Sequence, residues 1–551
     1  MNNTTQAQEQ QPVKGNQPWW QGATIYQIYP RSFYDSNGDG IGDLAGIGQK
    51  LGYIASLGVD AIWISPFFKS PMKDFGYDIS DYRDVDTIFG SLADCQAMIN
   101  RAHTLGLKVI IDKVVSHTSD QHPWFQQSRQ NKTNPKSDWY VWAEPKPDGT
   151  PPTNWQSVFG GSAWEWEPRR KQYYLHNFLS SQPDLNYHND EVQQQILEEF
   201  RFWLDLGIDG FRLDTANYYY HDALLRDNPP RDQSLKPSFM ATSGTPYGYQ
   251  EHIYDKNRPE NILWLQRMRA LLDSYQDRML VGEIGDSDAE SLMGEYTRGN
   301  DRLHMAYSFQ FLTTRHDADF ICASIRQLED SIQDGWPTWA MSNHDVPRVA
   351  SRWLNPQYDP LPQNKLHLAL LIALRGSLCI YNGEELGLTE AELTYEQLQD
   401  PYGITFWPDF KGRDGCRTPM PWHRHQPHAG FSKQSPWLPV PPEHQQLAVD
   451  EQHGNADSML SFSRQIIQWR KHQPQLCIGD ISAVDAQNNI LSFRRTLPHH
   501  TEILCVFNLA ANSQTLTVPA GAKLMSAPGQ PAKLDQQLDL PAFGFAFLEG
   551  L

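Results

Sequence analysis

From Ala23 onward the apolar positions alternate between two rhythms. Short, nearly continuous apolar runs occur at Ala23–Pro30, Asp60–Pro66, Lys108–Val115, Gly210–Ala216, Met279–Ile284, Ala306–Phe311, Thr338–Asn343 and Ser377–Asn382, each of a length that suits a buried strand. Between most of them the spacing widens to the helical period. Ile47, Leu51, Ile54 and Leu57 make one such face, and Val192, Ile196, Phe200, Trp203 and Leu204 another, with the i, i+3, i+4 pattern of an amphipathic helix. Eight strands with intervening helices predict an α/β fold, a (β/α)8 TIM barrel, with a doubly wound open sheet as the alternative.

Three stretches break the rhythm. Residues 1–16 are rich in Gln and Asn and have no period, which predicts a disordered leader, with order beginning near Trp19-Trp20. The connection after the third strand, 118–188, is too long for a plain βα loop and is rich in Trp, Pro, Gly, Asn and Ser, so it predicts an inserted domain overhanging one end of the barrel. After the helix around Ile466-Ile467-Gln468-Trp469 the period falls to that of short strands, at Ile490–Arg495, Ile503–Asn508 and Leu516–Val518. This predicts a C-terminal all-β domain, a β-sandwich, over 475–551. The barrel then occupies 17–117 and 189–474.

Composition narrows the function classes. A formal net charge of −19 over 551 residues disfavours nucleic acid or an anionic membrane as partner, since both demand a basic face. The six cysteines, Cys95, Cys322, Cys379, Cys416, Cys477 and Cys505, show neither a C-x-x-C nor a His-paired spacing, so neither a zinc site nor a disulfide framework is indicated. With no signal-peptide pattern and no run of about 18 apolar residues, a cytoplasmic location is expected. Aromatic residues make up 12% of the chain, which suits a site that stacks sugar rings or other flat ligands as well as a large core.

The candidate chemistry lies at strand ends. In Gly210-Phe211-Arg212-Leu213-Asp214 the apolar residues alternate with an arginine and an acid that leave the strand together. Taken alone this is most simply a buried ion pair. Glu283, however, ends the run Met279-Leu280-Val281-Gly282, Asp345 follows Trp339–His344, and His117 follows Lys108–Val115. Barrel enzymes place their chemistry at the C-terminal ends of the strands, so four such residues there point to one shared site.

Five blocks carry a family resemblance: Asp112-Lys-Val-Val-Ser-His117, Gln182-Pro-Asp-Leu-Asn186, Gly210-Phe-Arg-Leu-Asp214, Val281-Gly-Glu-Ile284 and Ser342-Asn-His-Asp345. In this order they resemble an α-glucosidase of the α-amylase family, nearest to its oligo-1,6-glucosidase and exo-α-glucosidase branch, from Trp19 to the end. The resemblance implies Asp214 as nucleophile, Glu283 as general acid/base and Asp345 as the carboxylate that stabilises the transition state, in a retaining mechanism that needs two carboxyl groups about 5 Å apart. Arg212 is expected to keep Asp214 ionised, whereas Glu283 must be protonated to act as the acid. His117 and His344 resemble the family's pair that binds sugar hydroxyls. Tyr77 resembles its sugar-stacking tyrosine. Asp74 and Arg413 resemble the acid and arginine that grip the terminal sugar and block the far end of the pocket, with Arg417 the alternative to Arg413, and Phe159 and Phe178 resemble its apolar walls.

Asp35-Ser-Asn37-Gly-Asp39-Gly-Ile41-Gly-Asp43 has oxygen donors at alternate positions, like the start of an EF-hand loop, although the twelfth position is Gly46 rather than Glu. It resembles the divalent-ion loop of this branch, which implies a structural Ca2+ or Mg2+ held by Asp35, Asn37, Asp39, Asp43 and the Ile41 carbonyl, and no organic cofactor. The chain departs from the family at Ser116, where α-amylases usually carry Asn, which removes support for their interdomain calcium site. Lys113 is also unusual within its strand.

Thr215 follows the nucleophile. In the family Val there accompanies α-1,6 cleavage, and Ala or Thr α-1,4 cleavage. The expected reaction is therefore exo-acting, retaining hydrolysis of short α-1,4-linked glucosides such as maltose, accompanied by glucosyl transfer, by a monomer or homodimer. The rivals are a transglucosylase, sucrose-isomerising or oligo-1,6-glucosidase relative, differing in acceptor loops such as 217–260, and a non-catalytic binding protein that resembles glucosidases. The Arg-Leu-Asp-Arg signature of the isomerising enzymes is absent, and all three acids are present.

Overall fold

The computed structural model describes residues 17–232 and 245–550; the expected leader, 1–16, lies outside them. All eight expected barrel strands form: β1 (Thr24–Ile28), β2 (Ala61–Ile64), β3 (Lys108–Lys113), β4 (Gly210–Leu213), β5 (Met279–Ile284), β6 (Met305–Ser308), β7 (Thr338–Ala340) and β8 (Ser377–Tyr381). They are parallel and neighbours in chain order, with β8 paired to β1, and a parallel bridge between Ala306 and Pro337 closes the ring between β6 and β7.

The strands read as continuous apolar runs because both faces are covered. Alternate residues serve two cores. Ile25, Trp63, Ile110, Val281, Tyr307 and Cys379 fill the barrel interior, while Tyr26, Ile62, Ile111, Phe211 and Leu280 face outward into the layer packed with helices. Helix α1 (Leu44–Ser56) starts where Asp43 accepts the Gly46 N–H, and it buries Leu44, Ile47, Leu51 and Ile54. Each such side chain contributes roughly 1.5–3 kcal/mol of burial. Helix α2 (Asp190–Asp205), capped by Asn189, buries Val192, Ile196, Phe200, Trp203 and Leu204.

The buried Lys113 has a physical account here. Its side chain leaves the end of β3 toward α2, donates to the Glu199 carbonyl at 3.3 Å, and lies over the rings of Phe68, Tyr82 and Phe200 at 5.0, 5.0 and 5.7 Å. Burial pushes its ammonium down to about 7.

The inserted segment folds into a three-stranded antiparallel sheet, Trp142–Ala143, Trp164–Glu167 and Gln172–Leu175, around its own apolar cluster of Val141, Trp155, Trp164 and Leu175. Its two ends are joined above β3 by an antiparallel bridge between His117 and Asp184. At the C-terminus a five-stranded sheet beginning at Asp480 and a three-stranded sheet bury a common cluster of Ile490, Val506, Leu538, Leu540, Ala546 and Leu548, an all-β unit as expected.

Candidate active site

Strand register assembles the centre of the site. In the parallel pair β3–β4, Asp112 lies opposite Arg212, and in β5–β6, Glu283 lies opposite Tyr307. Gly282 lets β5 pass close by, since a Cβ there would meet the Leu303 side chain at 2.4 Å. The Arg212 guanidinium is fully buried and ion-pairs with Asp112 at 2.8 Å, Asp214 at 2.6 Å and Glu283 at 2.5 Å. It also donates to the Tyr307 hydroxyl at 2.9 and 3.0 Å, and that hydroxyl donates to Glu283 at 3.1 Å. One cation thus serves three buried carboxyl groups, which cannot all ionise at neutral pH.

The proton distribution follows from this. Burial pushes the Glu283 acid up to about 7, against the pull of Arg212 and with help from Asp214 and Asp345. Arg212 was expected to keep Asp214 ionised and does pull its pKa down, but burial, with help from Asp112 and Asp345, lifts it to about 6. Burial also works against ionisation of Asp345, yet its pKa ends below the ordinary value. The neighbouring His344 is itself pushed down to about 3 by burial and stays neutral, so the lowering falls to Arg417 at 2.8 Å and Arg413 at 3.4 Å. The three acids therefore lose protons in the order Asp345, Asp214, Glu283.

Around this centre lies a cavity of about 840 Å³, within the range of ordinary ligand sites. Asp74, Tyr77, His117, Phe159, Phe178, Asp214, Thr215, Glu283, Asp345 and Arg413 all line it. Arg212 and His344 sit one layer behind. The His344 ring stacks on Tyr77, with centroids 5.5 Å apart and planes 5° apart. Its Nδ1 accepts from Gln27 at 2.7 Å, which leaves the Nε2 proton for Tyr77 at 2.5 Å and Asp345 at 3.2 Å. In this structure His344 thus positions groups that face the cavity. His117 meets the Tyr77 carbonyl at 3.0 Å and Gln182 at 3.2 Å.

Arg413, rather than Arg417, reaches Asp74, at 2.8 Å. Asp400 fixes its fork from behind at 3.0 and 2.8 Å, and Phe159 lies 5.5 Å from the guanidinium. Thr215 has φ 42°, a conformation uncommon for a β-branched residue. Its N–H donates to Glu283 at 3.2 Å, and its hydroxyl meets Asp214 at 3.3 Å and Ser116 at 3.1 Å. Ser116, read from sequence only as a departure, thus supports the residue that borders Asp214.

Asp112, Tyr307, Gln182, Arg417 and Asp400 had no assigned role in the sequence reading, Arg417 standing there only as the alternative to Arg413. Asp112 and Gln182 lie inside motif blocks, so their positions were visible. Tyr307 and Asp400 enter through strand register and a loop contact that spacing does not reveal.

The 35–43 loop is closed by its own side chains. Asp35 accepts from Gly38, Gly40 and Ser432 at 2.6, 2.8 and 2.5 Å. Asp43 accepts from the Ser36 backbone and hydroxyl and from Gly46 at 2.8, 2.7 and 2.6 Å, and Asn37 and Asp39 accept from the backbone of Asp39 and Ile41, each at 2.9 Å. Among the described residues no cluster of three or more His, Cys, Asp or Glu is disposed to hold a metal. The donor chemistry of the loop, carboxylate, amide and carbonyl oxygen, is nonetheless that of a hard divalent cation. No helix among the described residues is long and apolar enough to cross a membrane.

Known proteins match the chain over most of its length. Residues 27–479 match the family described as alpha amylase, catalytic domain. A probable alpha-glucosidase of Rhizobium meliloti is 52% identical over 99% of both chains, and an oligo-1,6-glucosidase of Parageobacillus thermoglucosidasius is 36% identical over 91% of this chain and 92% of its own. Among solved structures, an alpha-glucosyl transfer enzyme superposes with a TM-score of 0.94 at 53% identity, covering 97% of this chain and 100% of that one. A trehalulose synthase from Pseudomonas mesoacidophila gives 0.87 at 31% identity, with the same coverage.

Proposed function

Starting from a chain that belongs to the α-amylase family and is a glycoside hydrolase of α-glucosidase kind, we propose that it removes single glucose units from the non-reducing end of short α-1,4-linked glucosides such as maltose. The observation that carries this reading is the Asp74–Arg413 pair at 2.8 Å, which stands in the wall of the same cavity as Asp214, Glu283 and Asp345. A carboxylate and a guanidinium placed there grip the outermost hydroxyls of a terminal sugar and leave no passage for a chain extending beyond it.

In the proposed mechanism Glu283, protonated near neutrality, donates to the glycosidic oxygen while ionised Asp214 attacks the anomeric carbon. Two carboxyls sharing one guanidinium suit the closely spaced pair, about 5–5.5 Å, of a retaining enzyme. Asp345, kept ionised by Arg417 and Arg413, faces the positive charge that develops on the sugar ring. Glu283 then takes a proton from water, which releases α-glucose from the covalent glucosyl-enzyme. The Thr215 hydroxyl beside Asp214 supports the α-1,4 preference.

Transfer to a second sugar instead of water is a further fate of the same intermediate, and the likeness to an alpha-glucosyl transfer enzyme at 53% identity favours it. A time course on maltose, isomaltose, sucrose and soluble starch, with anomers resolved, tests the whole reading. α-Glucose from maltose, with little from starch, is the expected outcome. β-Glucose as first product, or attack within starch, would refute it.

The same reading includes a structural divalent cation on Asp35, Asn37, Asp39, Asp43 and the Ile41 carbonyl, anchoring the start of α1. Chelation followed by calorimetry is expected to lower the unfolding midpoint, with Ca2+ restoring it. A midpoint indifferent to both removes the ion from the proposal.

A further inference from the structure

The cavity extends well past the groups that would hold one glucosyl unit, and Glu390 stands in its wall with no role in the mechanism, as do Glu392 and Asp409. Glu390 belongs to the segment that follows β8. Its surroundings fix it in place. The backbone N–H of Arg348, three residues beyond Asp345, donates to one carboxyl oxygen at 2.9 Å, and the Glu390 N–H donates to the Ser351 hydroxyl at 2.8 Å. The other oxygen lies against Gly415, where a Cβ would come within 2.2 Å of it. Glycine there preserves the space that this oxygen occupies.

Among the described residues no cationic side chain forms an ion pair with Glu390, in contrast to Asp74, Asp214, Glu283 and Asp345. Val346, Pro347 and Ser351, which also line the cavity, come from the loop after Asp345 and the short helix Val349–Arg352 that follows it. A carboxyl held in a cavity wall by one backbone N–H keeps acceptor capacity for a further partner, and a hydroxyl group can supply it. Burial pushes the Glu390 acid up to about 7 although Arg348 and Arg352 pull it down and Glu392 opposes them; a hydroxyl ligand suits either protonation state.

We propose that Glu390 is a specificity-determining residue that hydrogen-bonds a hydroxyl group of the leaving-group sugar, and of the sugar that accepts the glucosyl unit in transfer. The proposal rests on the glucosidase reading above and adds to it a group that favours polyhydroxylated partners over alcohols with a single hydroxyl. The wall on this side carries the apolar Phe309, Leu312, Val346 and Leu393 together with the polar Thr313, Thr314, Ser351, Arg352 and Glu392; Glu390 is the carboxyl there that a backbone N–H holds in place, and a fixed hydrogen-bonding group discriminates better than a mobile one.

The test compares maltose with p-nitrophenyl α-glucoside, whose leaving group bears no sugar hydroxyls. In E390A the ratio of kcat/KM for maltose to that for the aryl glucoside is expected to fall about tenfold, chiefly through the KM of maltose, and E390Q is expected to recover most of it. With the aryl glucoside as donor, transfer to added glucose is expected to fall relative to transfer to methanol by a similar factor. Should E390A fail to fold, E390D, which withdraws the same carboxyl by one methylene, is expected to show the same bias. A ratio within twofold of the unaltered enzyme in these variants overturns the proposal, as does an equal loss on both substrates, which marks a scaffold role. If the unaltered enzyme releases no glucose from either substrate, the glucosidase reading itself falls and this inference falls with it.

Discussion

The sharing of Arg212 among three carboxyl groups has a consequence for pH. In the proposed mechanism the productive state requires Asp214 ionised and Glu283 protonated, and burial places these groups at about 6 and about 7. As Asp214 and Glu283 interact through Arg212, the observed values belong to the pair. Activity is expected to rise with pH as Asp214 loses its proton and to fall as Glu283 loses its own. With limbs about one pH unit apart, the fraction of enzyme in the productive state peaks near pH 6.5 at roughly 60%, and drops to about 9% at pH 5 and pH 8. The bell is therefore narrow, with a sixfold to sevenfold loss about 1.5 pH units to either side. The assay is kcat/KM for maltose at constant ionic strength across this range, because that parameter reports the free enzyme. Glu283→Gln provides the control: maltose turnover is expected to fall by about 10²–10⁴, while residual cleavage of an aryl glucoside, which needs no acid, should lose the alkaline limb. A flat profile between pH 5 and 8, or an alkaline limb that survives in Glu283→Gln, would refute the assignment of the proton to Glu283.

Three other substitutions probe separate parts of the structure. Thr215→Val keeps a β-branched residue at the same backbone angle but removes the hydroxyl that meets Asp214 and Ser116; the maltose-to-isomaltose ratio of kcat/KM is expected to fall about tenfold, and an unchanged ratio sinks the linkage argument. Arg413→Ala strips the cation from Asp74, Asp400 and Asp345, so it is expected to raise the KM for maltose at least about tenfold and to cost roughly 3–5 kcal/mol of stability; an unaltered KM removes Arg413 from the sugar-gripping role. Lys113→Met replaces a buried ammonium whose folded pKa is lowered to about 7. The folded value lies below the unfolded one, so the penalty is complete below about pH 7 and is relieved as pH rises toward the ordinary lysine value. The Met variant is therefore expected to be more stable by up to about 4 kcal/mol at neutral pH, less whatever the three rings return, and its advantage in urea unfolding should shrink by pH 9.5; an advantage that does not shrink with pH contradicts the account.

The barrel and the acids that its strand ends bring together were legible from the sequence for one physical reason. A strand buried on both faces must be apolar along its length, so any charged residue within or just beyond such a run stands out, as Arg212, Asp214, Glu283 and Lys113 do. The run's end marks where the chain leaves the sheet, and in a barrel that is where chemistry collects. What could not be read is which charges meet. Arg212 was visible, but not that Asp112 and Glu283 compete with Asp214 for it, because those contacts depend on the register of three strands brought together from residues 112, 212 and 283. The expected pull of Arg212 on Asp214 is present, but burial and the neighbouring Asp112 outweigh it. Asp400 makes the same point from a loop, since only its fork-to-fork contact fixes the direction in which Arg413 reaches. The charged residues that gather in the cavity are thus announced by their misfit with an apolar run, while the partners that set their protonation come from elsewhere in the chain and become apparent only once the barrel is closed.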